Sequence, residues 1–384
     1  MRRRSWPAAL AAALLTAGCA GVGRPPAAPP AGSAPAGSAA GAAAASAAPA
    51  GIALTSVRML DAVHGWAVTA SGEGVLATAD GGRTWQDATP APLASPGAGA
   101  ILLPATLDAT TAWLAAVTPG QAATIYRTTD GGASWTAGAT FPVEFGDGGG
   151  QLLFINGSDG WLELLTAGNG TPDGQLFRTQ DGGQTWTWIG RTGPATQGNL
   201  PFGGALSFRN ATTGWLTGGP RASGDAFHVW LFRTGDGGQT WAQQALPLPL
   251  GRSADTVSLS PPRFFGSSGV MLAQFSGAAP AAATAFTTAD GGSTWSLTAL
   301  VPVAGARMSF ADPLHGWMAG SGPTGAQVLY GTSDGGIHWT VLRPAPAEQI
   351  DFISASTGWA VGPGSLFQTV NGGVTWTRLP DAAA

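Results

Sequence analysis

Six carboxylates and one amide recur in a single frame, Thr-x-[Asp/Asn]-Gly-Gly-x-x-Trp: Asp80, Asp130, Asp181, Asp236, Asp290, Asp334 and Asn371. Side chains of this type could hold a cation or move a proton, but either task needs several of them to converge. These lie on seven successive repeats with no second ligand at regular spacing. Local chemistry points to a corner instead. Gly-Gly admits positive φ in a tight hairpin, and the carboxylate accepts hydrogen bonds from backbone N–H groups just downstream, as in an Asx-turn. Asn371 keeps an acceptor oxygen, so its turn is expected to survive without the charge.

Other chemistry-bearing residues fare no better. Glycoside hydrolysis needs two carboxylates at a fixed separation. Asp61, Asp108, Asp159 and Asp312 all precede a second recurring aromatic and read as hairpin residues. Glu163 is the odd acid, because it shares the face of Trp161 where other repeats carry Val68, Ala115, Thr217, Leu272, Ala319 and Val361. A partly buried acid can be functional; pairing with an Arg, or access to solvent at a sheet edge, is the expectation. The two tyrosines, Tyr126 and Tyr330, stand where other repeats place Phe177, Phe232, Phe286 and Phe367, the position of a core aromatic in a third strand. His64 and His315 precede Gly-Trp, His338 lies inside an Asp turn and His228 stands alone, so no metal-ligand spacing emerges. No metal and no cofactor are expected.

The elements that position these residues follow from composition and repetition. Of 384 residues, 60 are Gly and 29 Pro, only 10% are charged, and every basic side chain other than His is Arg. Such a chain is turn-rich and β-rich. The net charge of −4 becomes more negative once Arg2, Arg3 and Arg4 are set aside, which disfavours nucleic acid as a partner.

Residues 1–18 have a basic start and an apolar run too short to span a bilayer, the layout of an export signal. With Leu15-Thr16-Ala17-Gly18-Cys19 the segment resembles a bacterial lipoprotein signal, which implies cleavage before Cys19 and a diacylglyceryl anchor on its thiol. The lone Cys excludes an intramolecular disulfide framework. Residues 19–50, almost entirely Ala, Gly, Pro and Ser after Cys19, read as a tether with a reach of roughly 30 Å.

From residue 51 to 384 the Asp turns alternate with Gly65-Trp66, Ala112-Trp113, Gly160-Trp161, Gly214-Trp215, Gly316-Trp317 and Gly358-Trp359, the fifth copy reading Gly269-Val270. Seven residues before the Trp stands a large apolar residue, as at Met59, Phe154, Phe208, Phe310 and Phe352. Each repeat parses as four short strands, the signature of a propeller blade. The expected fold is therefore an all-β, seven-bladed β-propeller of four-stranded antiparallel blades, with the Asp turn between the third and fourth strands. Thirteen of the 16 Trp occupy the two repeated positions, where a flat side chain fills the wedge between twisted sheets. No spare strand is evident to latch the ring.

The turn resembles the Asp-box, or BNR, repeat of sialidases, sortilin-type receptors and the photosystem II assembly and stability factor family. Phe-x6-Trp followed by Thr-x-Asp-Gly-Gly-x-Thr-Trp is most similar to the last of these, a type of exported or lipid-anchored propeller. The resemblance implies a structural box on the face away from the ligand site, and an arginine-rich surface that holds a client protein. It does not imply sialidase activity: both tyrosines sit at core positions, and the Arg-Ile-Pro motif of sialidases is missing.

Recognition is then expected on the opposite, irregular loops, which are most elaborate around the fourth blade. They carry Arg191, Arg221, Arg252, Asp225 and Asp255, and three Arg on neighbouring loops suit a bidentate grip on carboxylates. The expected function is a non-catalytic scaffold, lipid-anchored outside the cytoplasm of a bacterium, that holds another exported or membrane protein. A carbohydrate-active module, either a glycan binder or a glycoside hydrolase, is the alternative.

Overall fold

The computed structural model describes residues 54–69, 72, 74–93, 100–166, 174–192, 204–218, 230–252, 255–277, 279–346, 349–362 and 365–380. The expectations for residues 1–18 and 19–50, with Cys19, and those for Arg221, Asp225 and His228, lie outside them.

Seven antiparallel sheets follow one another along the chain, each built from consecutive strands in sequence order. The first strand of each blade is Leu54–Met59, Ile101–Thr106, Gly150–Phe154, Ala205–Phe208, Thr256–Leu259, Ala304–Phe310 and Gln349–Phe352 in turn. First strands touch between blades 2 and 3, 3 and 4, 6 and 7, and 7 and 1, and each sheet runs outward from its first strand, so the first strands line the axis and the fourth strands form the rim. Blade 5 differs. Its inner strand is split into Thr256–Leu259 and Arg263–Phe265, both paired to Ser268–Ser276, and Pro261-Pro262 lies in the break, where missing N–H groups cannot continue a ladder.

The recurring Phe and Gly-Trp are two halves of one packing unit. In each ladder the Phe pairs with the Gly of the second strand, as Phe154 with Gly160 and Phe352 with Gly358. Its ring lies where a Cβ on that Gly would have to go. Blade 2 shows the compensation: Thr106 replaces the Phe, and Ala112 replaces the Gly. The same Phe also faces the preceding blade. Phe154 stacks on Trp113 at 3.8 Å, Phe208 on Trp161 at 3.6 Å and Phe352 on Trp317 at 3.7 Å. Such pairs contribute about 0.5–1.5 kcal/mol beyond their buried area.

Each of these Trp also clasps the next blade with its indole N–H. Trp113 donates to the Gly182 carbonyl at 2.8 Å, Trp161 to Gly237 at 2.9 Å, Trp317 to Gly372 at 2.8 Å and Trp359 to Gly81 at 3.0 Å. In blade 4, Gln244 relays the clasp: Trp215 donates to its Oε1 at 3.0 Å, and its Nε2 donates to the Gly292 carbonyl at 2.8 Å. Directly or through Gln244, each clasp ends on a glycine of an Asp turn, so the turn of one blade is the socket for the indole of its neighbour.

Ring closure uses this same contact and, among the described residues, no swapped strand. Blade 1 begins with its inner strand Leu54–Met59 and blade 7 ends with its outer strand Thr377–Arg378. The seam is a buried cluster of Val57, Met59, Leu76 and Trp85 from blade 1 with Trp359, Val361, Leu366 and Leu379 from blade 7.

Candidate functional site

Six of the seven turns share one hydrogen-bond pattern. In the turn at Asp181, the Thr179 hydroxyl and the Thr185 N–H both donate to Oδ1, at 2.8 and 2.9 Å, and the Thr185 hydroxyl donates to Oδ2. Both glycines have positive φ, 74° at Gly182 and 92° at Gly183. Asn371 keeps both acceptor contacts through Oδ1 and turns its amide Nδ2 into a donor toward the Thr375 hydroxyl, at 2.8 Å. Hydroxyl and N–H donors of Ser134 hold the Asp130 carboxyl down at about 2. Every carboxylate oxygen is therefore spent inside its own corner. Among the described residues no group of three or more His, Cys, Asp or Glu could hold a metal ion.

Asp61, Asp108 and Asp312 do similar work in the hairpin between first and second strands, each accepting two backbone N–H bonds at 2.7–2.9 Å. Asn156 takes that place in blade 3, and its neighbour Asp159 accepts from the Asn156 amide at 3.0 Å. Tyr126 and Tyr330 are both buried at 8% exposure on third strands, as core aromatics.

Glu163 departs from expectation. It neither meets an Arg nor reaches solvent, being 1% exposed at the seam between blades 3 and 4. Its Oε1 accepts the Gly204 N–H at 3.3 Å, and its buried Oε2 has no hydrogen-bond partner among the described residues. Desolvation pushes the carboxyl up to about 8, against the weaker pull of the Gly204 bond. The expected Arg partner is not found: the face of Glu163 packs against blade 4, and among the described residues no guanidinium bonds to it.

The loop-face arginines divide. Arg191, on the outer strand Thr187–Thr192, is half-exposed, pairs with Glu144 and covers the Phe145 ring at 5.2 Å. Arg252 is nearly buried: its Nη1 donates to Asp255 and to the Pro280 carbonyl, both at 2.8 Å. Asp255 is 3% exposed. Arg252 and Asp255 thus fasten the link into blade 5, while Arg191 stays at the surface.

The structure gathers a different set on the axis. The first-strand residue paired with the second-strand Trp position forms one level of the inner ring of strands: Arg58, Ala105, Leu153, Ser207, Arg263, Ser309 and Asp351. Polar members reach the open edge of the next blade. Asp351 accepts the Met59 N–H at 3.0 Å, Ser309 accepts the Phe352 N–H at 2.8 Å, and Ser207 donates to the Pro262 carbonyl at 2.5 Å. Arg58 lies 3.9 Å from Asp351 with its side chain 52% exposed. Arg263, half-buried over the Phe265 ring, interacts electrostatically with both. Burial lowers the Arg263 pKa and the Arg58 charge lowers it further, while Asp351 opposes both. Desolvation raises Asp351, countered by Arg58, by the Met59 N–H and by Arg263. Two guanidinium groups thus stand near one carboxylate at the axis, Arg58 as its ion-pair partner and Arg263 through longer-range attraction. One residue of this kind on each of three distant strands leaves no sequence motif; only the register of the blades brings them together.

No protein-family model matches the chain. Over 80 residues, 19% of the chain, it is 39% identical to the photosystem II assembly lipoprotein Ycf48 of Synechococcus sp. (strain CC9902), and the match spans 22% of that relative's length. Among solved structures, Ycf48 bound to D1 peptide superposes with a TM-score of 0.54 at 18% identity, over 85% of this chain and 93% of that one. Ycf48 from Cyanidioschyzon merolae gives 0.56 at 16% identity, over 84% and 97%. The GH74 xyloglucanase from Xanthomonas campestris gives 0.58 at 16% identity, over 87% of this chain and 55% of the enzyme. The chain thus has a propeller fold found in binding proteins and in glycoside hydrolases alike, and its local sequence similarity is to a photosystem II assembly lipoprotein.

Proposed function

We propose that the chain is a non-catalytic binding or assembly scaffold, anchored by lipid on Cys19 to a bacterial membrane and presenting its propeller to another exported or membrane protein. The observation that carries this reading is the axial group, in which the half-exposed Arg58 lies 3.9 Å from Asp351 and Arg263 is within electrostatic reach of both. An exposed guanidinium so placed suits a carboxylate-bearing segment of a partner, since paired N–H donors match carboxylate geometry. Similarity to an assembly lipoprotein, and a shared fold with a structure described as bound to a peptide, support the same direction. Of the loop residues Arg191, Arg221, Arg252, Asp225 and Asp255, the exposed Arg191 supports a second proposed contact, whereas Arg252 and Asp255 are tied to each other and Arg221 and Asp225 lie outside the described residues.

A glycoside hydrolase would need a second carboxylate beside a raised one. Glu163 has the raised pKa, but among the described residues no other carboxylate bonds to it or perturbs it. The test is an affinity pull-down of the mature protein from envelope extract alongside a panel of chromogenic glycosides. Stoichiometric recovery of a protein partner without glycoside turnover supports the scaffold; turnover abolished by Glu163→Gln overturns it.

A further inference from the structure

The face that carries the Asp turns is not uniform around the ring. At the hairpin position whose carbonyl receives the turn glycine, blades 2 to 5 carry Thr110, Ser158, Thr212 and Ser267. Blade 6 carries Leu314 and blade 1 carries Val63, with 53% and 43% exposure, while blade 7 keeps a Ser there, Ser356. The residue after Gly-Gly is Ala133, Gln184, Gln239 or Ser293 in blades 2 to 5, but Ile337 in blade 6 and Val374 in blade 7, at 62% and 49% exposure. Val370, just before Asn371, adds a fifth aliphatic at 69% exposure. These three blades adjoin: Trp317 of blade 6 clasps the blade 7 turn, and Trp359 of blade 7 clasps the blade 1 turn. Seven copies of one turn supply an internal control. The fold tolerates polar residues at these tips, so the aliphatics of blades 6, 7 and 1 serve something outside it.

Charge selects the occupant. The same tips carry Asp61, Asp80, Asp312 and Asp334, each held ionised by hydrogen bonds within its own turn. Among the described tips of these three blades the one guanidinium is Arg83, bonded to the Asp80 carbonyl at 2.8 Å. The three histidines there each place Nδ1 at 2.7–2.8 Å from an Asp oxygen. A second copy docked face to face would set carboxylates against carboxylates, and an anionic bilayer would be repelled. We propose that the aliphatic sector of blades 6, 7 and 1 docks a cationic amphipathic segment of a partner protein, with its apolar side chains on Leu314, Ile337, Val370 and Val374 and its basic ones on the surrounding carboxylates. This surface is separate from the axial arginines, which would take a segment of opposite charge.

The test measures binding of two labelled helical peptides, one of Leu and Lys and one of Leu and Glu, to the mature protein by fluorescence anisotropy. It also uses the variant Ile337→Gln/Val374→Ser, whose replacements already occur at the same position in blades 3 and 5. The Leu/Lys peptide is expected to bind the wild type and to bind the variant about tenfold more weakly, with the unfolding midpoint unchanged; the Leu/Glu peptide is expected not to bind. The proposal fails if the Leu/Lys peptide does not bind, if the variant binds it equally, or if the Leu/Glu peptide binds as tightly. Self-association or adsorption to phosphatidylglycerol vesicles that the variant abolishes would assign the sector to those occupants instead.

Discussion

The Trp359 indole N–H donates to the Gly81 carbonyl at 3.0 Å across 278 residues of sequence, and this contact joins the last blade to the first. Trp359 is fully buried, so its removal opens a cavity at the one seam that chain connectivity does not support. Trp359→Ala should cost about 3–5 kcal/mol in urea unfolding. Trp359→Phe, which keeps most of the volume and loses the clasp, should cost less. Equal and small effects for both would show that the seam does not depend on this residue.

The Phe and Gly of one blade should be coupled energetically. Gly160→Ala places a methyl against the Phe154 ring, and Phe154→Thr leaves a void; each should destabilise. The double variant reproduces the Thr106 and Ala112 pair of blade 2 and should recover part of the loss. A double-mutant cycle in urea reads the interaction directly, with a coupling of about 0.5–3 kcal/mol expected. Additive losses would contradict the packing account.

Glu163 gives the protein a pH dependence of known sign. Its carboxyl titrates near 4.5 when unfolded and at about 8 in the fold, so between those values the native state binds the extra proton. Stability from this group is fully present below pH 4.5, falls as pH rises, and levels off above about 8. Glu163→Gln should flatten that slope and leave the variant the more stable protein at pH 8. Urea midpoints at pH 5, 6.5 and 8 check this; parallel slopes for both proteins would mean that Glu163 is solvated or paired after all.

The Asp turns should tolerate an amide better than a methyl. Asp181→Asn can adopt the arrangement seen at Asn371, whereas Asp181→Ala leaves the Thr185 N–H and hydroxyl without their acceptor, a cost of about 1 kcal/mol. Thermal melts of the two variants separate the cases. Acid reads the same network: the Asp130 carboxyl is depressed to about 2, so its contribution is present above the ordinary carboxylate range and is lost as pH falls toward that value.

Blade count, blade boundaries and the socket-forming turns were legible in the sequence, because a turn that needs Gly-Gly and an acceptor at fixed offsets repeats the same residues each time. The Phe and Trp spacing was visible too, though not its meaning, since stacking joins a Phe to the Trp of the preceding blade. The axial group was illegible. Arg58, Arg263 and Asp351 share a level only through strand register, and blade 5 reaches it with an inner strand broken by two prolines. Loop length drew attention to Arg252, yet its guanidinium is tied to Asp255 and the Pro280 carbonyl.

For the loop face, Arg191→Ala and Arg221→Ala together should weaken partner binding without unfolding the domain, Arg252 being left in place because it pairs with the buried Asp255. Unchanged affinity would remove that surface from the scaffold reading.

The most direct measurement compares wild type with Arg58→Ala/Arg263→Ala in the envelope pull-down, after both show the same cooperative unfolding. A partner recovered stoichiometrically by the wild type and lost by the variant is the predicted result. Equal recovery by both proteins would contradict the axial arginines as the point of attachment.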